Sequence, residues 1–224
     1  MGGFKNSKFN NIVRDNLFRL IFDTLVKCSE LMYQEYLNGN KTIPNHEEKI
    51  RSILLDKYLD NDSIRDELNL GRTYLRFIPE VPENFNEEDG TYKGRLDIKV
   101  ISENTLKSRN DYYTIECKRL DGKNDLNKKY VDNGIKRFIS EPVLYPSYNK
   151  KNIMFGFIVQ AIDINKNADK INIIQRNSFS GSIKSYLKIL IKERLYCKYS
   201  SEYYLGSSEL ELAHLFFDFS KIIK

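Results

Sequence analysis

Residues 95–120 read RLDIKVISENTLKSRNDYYTIECKRL, and the predicted sheet starts from this segment. Polar and apolar residues alternate over residues 95–101 and again over residues 112–120, a pattern typical of β-strands. The segment between these two runs is mostly polar, so we expect the two strands to pair as a hairpin.

This alternation separates apolar from charged side chains on each strand, because successive residues of a strand point to opposite faces. The apolar faces are made by Leu96, Ile98, Val100, Tyr113, Ile115 and Cys117. The opposite faces carry Asp97 on the first strand and Glu116 with Lys118 on the second. If the strands pair, two carboxylates and one ammonium converge on one surface of the sheet.

Two carboxylates held close together repel each other, and a divalent cation removes that conflict. Oxygen ligands of this kind favour Mg²⁺, with Mn²⁺ as a substitute. Such an ion suits phosphoryl chemistry, because it polarises the phosphate and activates a bound water. Lys118 could orient that water, accept its proton or stabilise the charged phosphorus centre. The simpler alternative is a surface hairpin with ordinary Glu–Lys pairing.

Similar triplets occur elsewhere in the chain. The Glu-x-Lys triplet at 47–49 lies on a predicted helix, where residues two apart point away from each other. The Asp-x-Lys triplet at 121–123 lies in a predicted turn, and the one at 97–99 is a competitor within the hairpin. The triplet at 116–118 is favoured, since it has an acidic partner on the preceding strand and an apolar alternate face.

The spacing of apolar residues on both sides of the hairpin predicts the remaining helices and strands. A long amphipathic helix is expected over residues 11–37. A strand at 73–80 is expected to stop at Pro82, before an exposed acidic loop. The other predicted elements are helices at 46–59, 126–139, 164–175 and 180–196, a buried strand at 152–162, and a strand or a helix at 209–219. Together these elements predict an α/β fold with a mixed sheet.

The residues Arg-Leu-Asp-Ile at 95–98, followed by Ile-Glu-Cys-Lys at 115–118, resemble the motif of the PD-(D/E)xK nuclease superfamily. The resemblance implies a restriction-endonuclease-like core, in which a central mixed β-sheet is flanked by helices. It covers roughly residues 45–220 in the order of elements, which divides the chain into an N-terminal helical extension, 1–44, and a nuclease-like domain, 45–224. Leu96 departs from the pattern, since the motif has proline there.

The resemblance also implies roles for individual residues. Asp97 and Glu116 would bind Mg²⁺, the backbone carbonyl of Cys117 would assist them, and Lys118 would act on the water. Many members carry a further glutamate on the helix before the strands, and Glu47 is our candidate for that metal ligand and catalytic residue. A solvated carboxylate at a helix start is an equally good interpretation of Glu47. Further candidates for this position are Glu48 and Glu80.

The helix after the Glu-x-Lys strand carries three candidates for nucleic-acid binding, Tyr130, Lys136 and Arg137. In similar nucleases this helix flanks the site, and Arg137 could grip a phosphate with two hydrogen bonds. A solvated basic face is the alternative. His214 lies among apolar residues and is predicted to be a core histidine instead of a metal ligand.

Composition limits the class of partner and the compartment. A formal net charge of +5 over 224 residues permits a polyanionic partner without requiring one. Three widely spaced cysteines argue against a zinc site or a disulfide framework. No segment resembles a membrane span, and the opening MGGFKNS lacks a signal-peptide core. These features predict a cytoplasmic protein without a membrane partner.

The sequence hypothesis is therefore a Mg²⁺-dependent nuclease that hydrolyses DNA phosphodiester bonds, as an endonuclease in microbial defence or restriction. The motif does not separate DNA from RNA as the substrate. Two alternatives stay open. The first is a catalytically silent nuclease-like module that binds DNA or a protein. The second is a structural subunit of a larger complex, in which the helix at 11–37 forms a homodimer or partner interface.

Overall fold

The structure, a computed structural model, describes residues 7–68, 70, 75–103, 108–141, 144–146 and 149–224. The helices in these ranges are α1 (Ser7–Asn38), α2 (Glu47–Leu54), α3 (Asp62–Glu67), α4 (Asn124–Tyr130), α5 (Lys136–Ile139) and α6 (Ile164–Phe179). The strands are β1 (Arg76–Asn86), β2 (Thr91–Ile101), β3 (Tyr112–Leu120), β4 (Lys151–Ile158), β5 (Ile183–Lys192), β6 (Tyr196–Leu205) and β7 (Ser208–Asp218). Single π-helical turns follow α2, at Leu55–Leu59, and join α4 to α5, at Val131–Ile135.

The strands form a seven-stranded sheet in the order β1-β2-β3-β4-β7-β6-β5. β4 runs parallel to both β3 and β7, whereas the other neighbouring strands are antiparallel. The sheet is therefore mixed, as the sequence predicted. The inner strands β3 and β4 are buried along almost their whole length, because helices cover both faces of the sheet.

Two apolar clusters lie on opposite faces of the sheet. On one face, α1, α2 and the π-helical turn after α2 pack against strand residues such as Ile115 and Phe155. On the other face, the helices from α4 to α6 pack against residues such as Leu120 and Phe216. The protein is thus an α/β fold of three layers, with the sheet between two helical layers.

The long helix α1 belongs to the first of these layers. Ile21, Leu25 and Met32 are fully buried in the cluster that covers the sheet. Near the start of the helix, the Phe18 and Tyr113 rings lie 5.5 Å apart, and the Tyr113 hydroxyl donates to the Arg14 carbonyl at 3.1 Å. The helix predicted at 11–37 is confirmed. Of the helices described, none has a stretch apolar and long enough to span a bilayer.

The predicted helix at 180–196 is wrong. A single 3₁₀ turn at Ser180–Ser182 leads into β5, which pairs with β6 at the edge of the sheet. The apolar residues of this segment recur at spacings of about four, which suggested a helix. Its β-branched and aromatic residues favour a strand once β6 is available as a partner. The ambiguous segment at 209–219 forms the strand β7.

The first strand is also longer than predicted. Residues 73 and 74 of the predicted strand lie outside the described ranges, and β1 continues through Pro79 and Pro82 to Asn86. Proline is tolerated because β1 is an edge strand, where an amide can be missing without breaking the sheet. Much of the predicted acidic loop is therefore strand, and only residues 87–90 form the turn to β2.

Candidate functional site

The candidate site lies where β2 and β3 separate. The two strands pair from Ile98 and Ile115 to Ile101 and Tyr112. Past Ile98, the side chain of Asp97 takes the place of a backbone partner, and its Oδ2 accepts a hydrogen bond from the Cys117 amide at 2.8 Å. This contact satisfies the Cys117 amide and holds the Asp97 carboxylate beside β3.

The separation also changes which face of the sheet the β2 side chains point to. Leu96 was predicted to share the face of Ile98, but Leu96 packs in the cluster under α4–α6 and Ile98 in the cluster under α1. Glu80, which stands opposite Asp97 in the register of β1 and β2, has a φ of 51° that is uncommon for a non-glycine residue. The regular alternation of the strand therefore stops at Asp97.

The Lys118 ammonium is surrounded by oxygen atoms from three segments of the chain. Its Nζ lies 2.7 Å from Glu116 Oε1 and 2.7 Å from the Cys117 carbonyl oxygen. It also lies 3.2 Å from Glu47 Oε1 and 3.6 Å from Asp97 Oδ2. We call the Asp97, Glu116 and Glu47 carboxylates and the Cys117 carbonyl the oxygen cage. The structure thus brings together the four residues that the sequence proposed as metal ligands.

Glu47 reaches the cage from the first turn of α2. Its Oε2 accepts a hydrogen bond from the Arg119 amide at 3.1 Å, while Oε1 faces Lys118. The Arg119 guanidinium donates to the backbone and side-chain oxygens of Asn45 at 2.6 and 2.8 Å, which fixes the start of α2 beside β3. One turn later, the buried Ile50 anchors the helix on the sheet.

Two arginines balance the remaining charge of the cage. Arg51 donates to Asp97 and, at 2.5 Å, to Glu80. Arg137 donates to Glu116 Oε1 at 3.2 Å. Glu80 therefore pairs with Arg51 and, at 3.2 Å, with Arg95, and it is not one of the carboxylates around Lys118. The sequence analysis missed Arg51, although its position one turn after Glu47 on α2 was a usable signal.

Burial governs the electrostatics of the cage. Burial and the Asp97 carboxylate raise the pKa of Glu116 to about 8, against the opposing effects of Lys118 and Arg137. Burial alone lowers the pKa of Lys118, but the Glu116, Asp97 and Glu47 carboxylates outweigh it and raise that pKa above the ordinary value for lysine. Lys118 is therefore a hydrogen-bond donor at neutral pH in this arrangement.

The cage has the donor chemistry of a hard divalent cation, because carboxylate and carbonyl oxygens are the ligands that Mg²⁺ and Mn²⁺ prefer. Oε2 of Glu116 is buried and has no hydrogen-bond partner among the described residues, which a cation would supply. Within the same residues, no group of three or more His, Cys, Asp or Glu side chains is arranged as a metal site. The residues fit such an ion by the chemistry of their oxygen atoms, but in the present arrangement the Lys118 ammonium lies among those oxygens.

A cleft of about 570 Å³ opens onto the cage between α2 and the β1–β2 hairpin. Its lining is mostly charged, with five cationic and three anionic side chains, so it suits a polar, anionic ligand better than an apolar one. The charged residues of the lining are Glu47, Glu48, Arg51, Lys93, Arg95, Asp97, Lys118 and Arg137.

The three residues predicted to bind nucleic acid lie in different surroundings. Arg137 lines the cleft, and Lys136 is exposed. Tyr130 does not line the cleft, because its side chain is fully buried and its hydroxyl is hydrogen-bonded to His214 Nδ1 at 2.7 Å. Sequence reasoning also missed Tyr145. Its hydroxyl donates a hydrogen bond to the Arg95 carbonyl at 2.7 Å and accepts one from the Arg137 guanidinium.

Comparison of the chain with protein-family models, with curated proteins and with solved structures gave no match. Function is therefore inferred from the geometry and charge of the cage and the cleft.

Proposed function

We propose that this protein is a metal-dependent nuclease that hydrolyses DNA phosphodiester bonds, as an endonuclease of microbial defence or restriction. The observation that carries the proposal is the oxygen cage, in which three carboxylates and a carbonyl surround the Lys118 ammonium beside a charged cleft. The resemblance of residues 95–98 and 115–118 to PD-(D/E)xK nucleases supports it, because these residues supply most of the cage.

Asp97, Glu116, Glu47 and the Cys117 carbonyl would hold the ion. Bound Mg²⁺ supplies a nucleophilic water at neutral pH and offsets the negative charge that develops on the phosphate. The protein's own cations position the substrate, since Arg137 and Arg95 line the cleft and can donate to phosphate oxygens.

Lys118 acts as a donor in this scheme. Its ammonium lies among the cage oxygens beside the cleft, where it can donate to a phosphate oxygen and stabilise the charged phosphorus centre. Of the roles that the sequence left open for Lys118, the electrostatic role is the one that its surroundings favour.

The test is cleavage of supercoiled plasmid DNA in the presence of Mg²⁺ or Mn²⁺, with EDTA as the blank. Asp97→Ala and Lys118→Ala should each lower the rate by about a hundredfold or more, because each removes a group that acts on the reacting phosphate. Glu116→Gln preserves the shape of the buried side chain but cannot ligate an ion as a carboxylate, and it should lose activity to a similar degree.

Lys123→Ala is the matched control, since Lys123 belongs to another Asp-x-Lys triplet but is exposed in a turn. It should cleave like the parent protein. Circular dichroism establishes that each variant is folded. Cleavage by folded Asp97→Ala and Glu116→Gln at the parent rate would remove the proposed site.

A catalytically silent binding module is the second candidate, and a different observation favours it. The three carboxylates of the cage are already paired with Lys118, Arg51 and Arg137, so the protein needs no ion to neutralise them. Tight DNA binding in EDTA, with no cleavage in either Mg²⁺ or Mn²⁺, would establish this function in place of hydrolysis.

A further inference from the structure

The hairpin that borders the cleft carries a pair of exposed aromatic side chains. Phe85 on β1 and Tyr92 on β2 are direct partners across the hairpin, and their ring centroids lie 5.2 Å apart. Their exposed fractions are 56% and 57%, which is high for large aromatic residues. Covering the two rings with a flat partner would be favourable, because it removes apolar surface from water.

Tyr92 belongs to the lining of the same cleft as Asp97 and Lys118. Lys93 and Arg95 follow Tyr92 on β2 and also line the cleft. A strand rises about 3.3 Å per residue, so Tyr92 lies roughly 16 Å along β2 from Asp97. A single chain of nucleotides can therefore reach from the aromatic pair to the cage.

We propose that Phe85 and Tyr92 form a stacking site for unpaired nucleobases, and that the substrate is a single strand or the unpaired part of a duplex. This inference rests on the proposed nuclease function and deepens it by naming the substrate class. An aromatic ring accepts the flat face of any base, but only a base outside a duplex stack offers that face. The positive charges of Lys93 and Arg95 complement the negative phosphates of the same nucleic-acid strand.

The charge around the pair distinguishes this ligand from a second protein. A stable protein interface buries about 800 Å² on each partner, whereas the exposed apolar surface here is that of two side chains beside cations of the cleft. Cations next to aromatic rings are what a single-stranded nucleic acid needs, because its backbone is anionic and its bases are flat.

The test measures binding and not cleavage. A single-stranded DNA oligonucleotide containing 2-aminopurine is titrated with protein, first in EDTA and again in Ca²⁺, and fluorescence quenching reports stacking of the base. Tyr92→Ala and Phe85→Ala should each weaken binding of the single strand by about tenfold and reduce the quenching. Tyr92→Phe should bind like the parent, because the ring is retained. Tyr204→Ala should also bind the single strand like the parent, because Tyr204 is exposed on β6 and does not line this cleft.

A blunt duplex of the same sequence is the comparison ligand. Stronger binding of the duplex than of the single strand, parent-like binding by both Tyr92→Ala and Phe85→Ala, or no binding of the single strand in either buffer would overturn the stacking site, even if plasmid is cleaved. Quenched, Tyr92-dependent binding, with no cleavage of either the single strand or the plasmid in Mg²⁺ or Mn²⁺, would instead uphold the stacking site and reject hydrolysis. The two proposals therefore fail in different ways.

Discussion

The side chain of His214 illustrates how the interior keeps a titratable group neutral. Its Nδ1 lies 2.7 Å from the Tyr130 hydroxyl and its Nε2 lies 2.6 Å from the Ser201 hydroxyl. A neutral imidazole has one N–H donor and one acceptor, so one hydroxyl accepts and the other donates. Burial lowers the pKa of His214 from its ordinary value of 6.5 to about 3. The prediction of a core histidine is confirmed.

This shift makes the stability of the protein depend on pH. In the unfolded chain His214 binds a proton below its ordinary pKa, whereas the folded protein resists protonation until a much lower pH. The contribution of neutral His214 is therefore present above about pH 6.5 and is lost as the pH falls towards 3. From neutral pH to about pH 5, the free energy of unfolding should fall by about 2 kcal/mol through this residue.

Urea unfolding of the parent and of His214→Gln at a series of pH values measures this effect. The variant should be less stable at neutral pH but should lose less stability on acidification. His46→Gln serves as the control, because His46 is exposed, and it should keep the parental pH dependence. An equally steep loss of stability in His214→Gln would show that other groups cause it.

At the scale of single elements, the sequence predicted strands most reliably where the two faces of a strand differ in polarity. Residues 95–101 and 112–120 alternate clearly, and they form parts of β2 and β3. The strand β5 shows no such alternation, because its apolar residues sit at spacings that a helix would also use. Only pairing with β6, a long-range contact, decides in favour of a strand.

The candidate site was predictable in its residue types but not in its geometry. Alternation suggested that Asp97, Glu116 and Lys118 meet on an open surface of the sheet. Instead, both faces of the sheet are covered, Glu116 is fully buried, and the groups meet where β2 and β3 separate. Separation of two strands leaves no local pattern in the sequence. The involvement of Arg51 likewise depends on how α2 docks on the sheet.

Packing between β4 and its neighbours can be tested at a single glycine. A Cβ atom at Gly156 would lie 2.6 Å from a methyl carbon of Leu120 and 2.7 Å from a ring carbon of Phe216. Both side chains are fully buried, so neither can move aside freely. Gly156→Ala should therefore lower the free energy of unfolding by about 1–3 kcal/mol in urea titrations.

Gly181→Ala is the matched control, because a Cβ atom there would meet no heavy atom within 4 Å. Its effect should stay within about 0.5 kcal/mol. Equal stability of Gly156→Ala and the parent would mean that β4 packs more loosely against Leu120 and Phe216 than these distances indicate.

For the molecule as a whole, the first and last parts of the chain are joined. After α1, Ile43 forms a β-bridge with Ile223, and its amide donates to the Ile222 carbonyl at 2.7 Å. Together with the buried face of α1, this bridge ties residues 7–44 to the sheet layer. The boundary at residue 44, which the sequence suggested, stays a prediction.

Removal of residues 1–44 should abolish the folded state. At roughly 1.5–3 kcal/mol for each buried apolar side chain, loss of residues such as Ile21, Phe22, Leu25 and Met32 would cost about as much as the whole stability of a typical domain. Circular dichroism with thermal unfolding should show no cooperative transition for the chain 45–224.

Point substitutions on α1 separate its two faces without truncation. Leu25→Ala, in the buried face, should cost about 2–5 kcal/mol, whereas Ile12→Ala, on the exposed face, should cost little. A chain 45–224 that melts cooperatively near the parental temperature would show that α1 is a dispensable addition.

The cage draws its oxygen atoms from positions far apart along the chain. A growing polypeptide that has emerged from the ribosome only as far as Val100 contains Glu47 and Asp97 but neither Glu116 nor Lys118. Arg137 and the neighbouring strand β4 are synthesised later still. The acidic groups can assemble only after the inner strands have come together, so the proposed hydrolysis would require the finished tertiary structure.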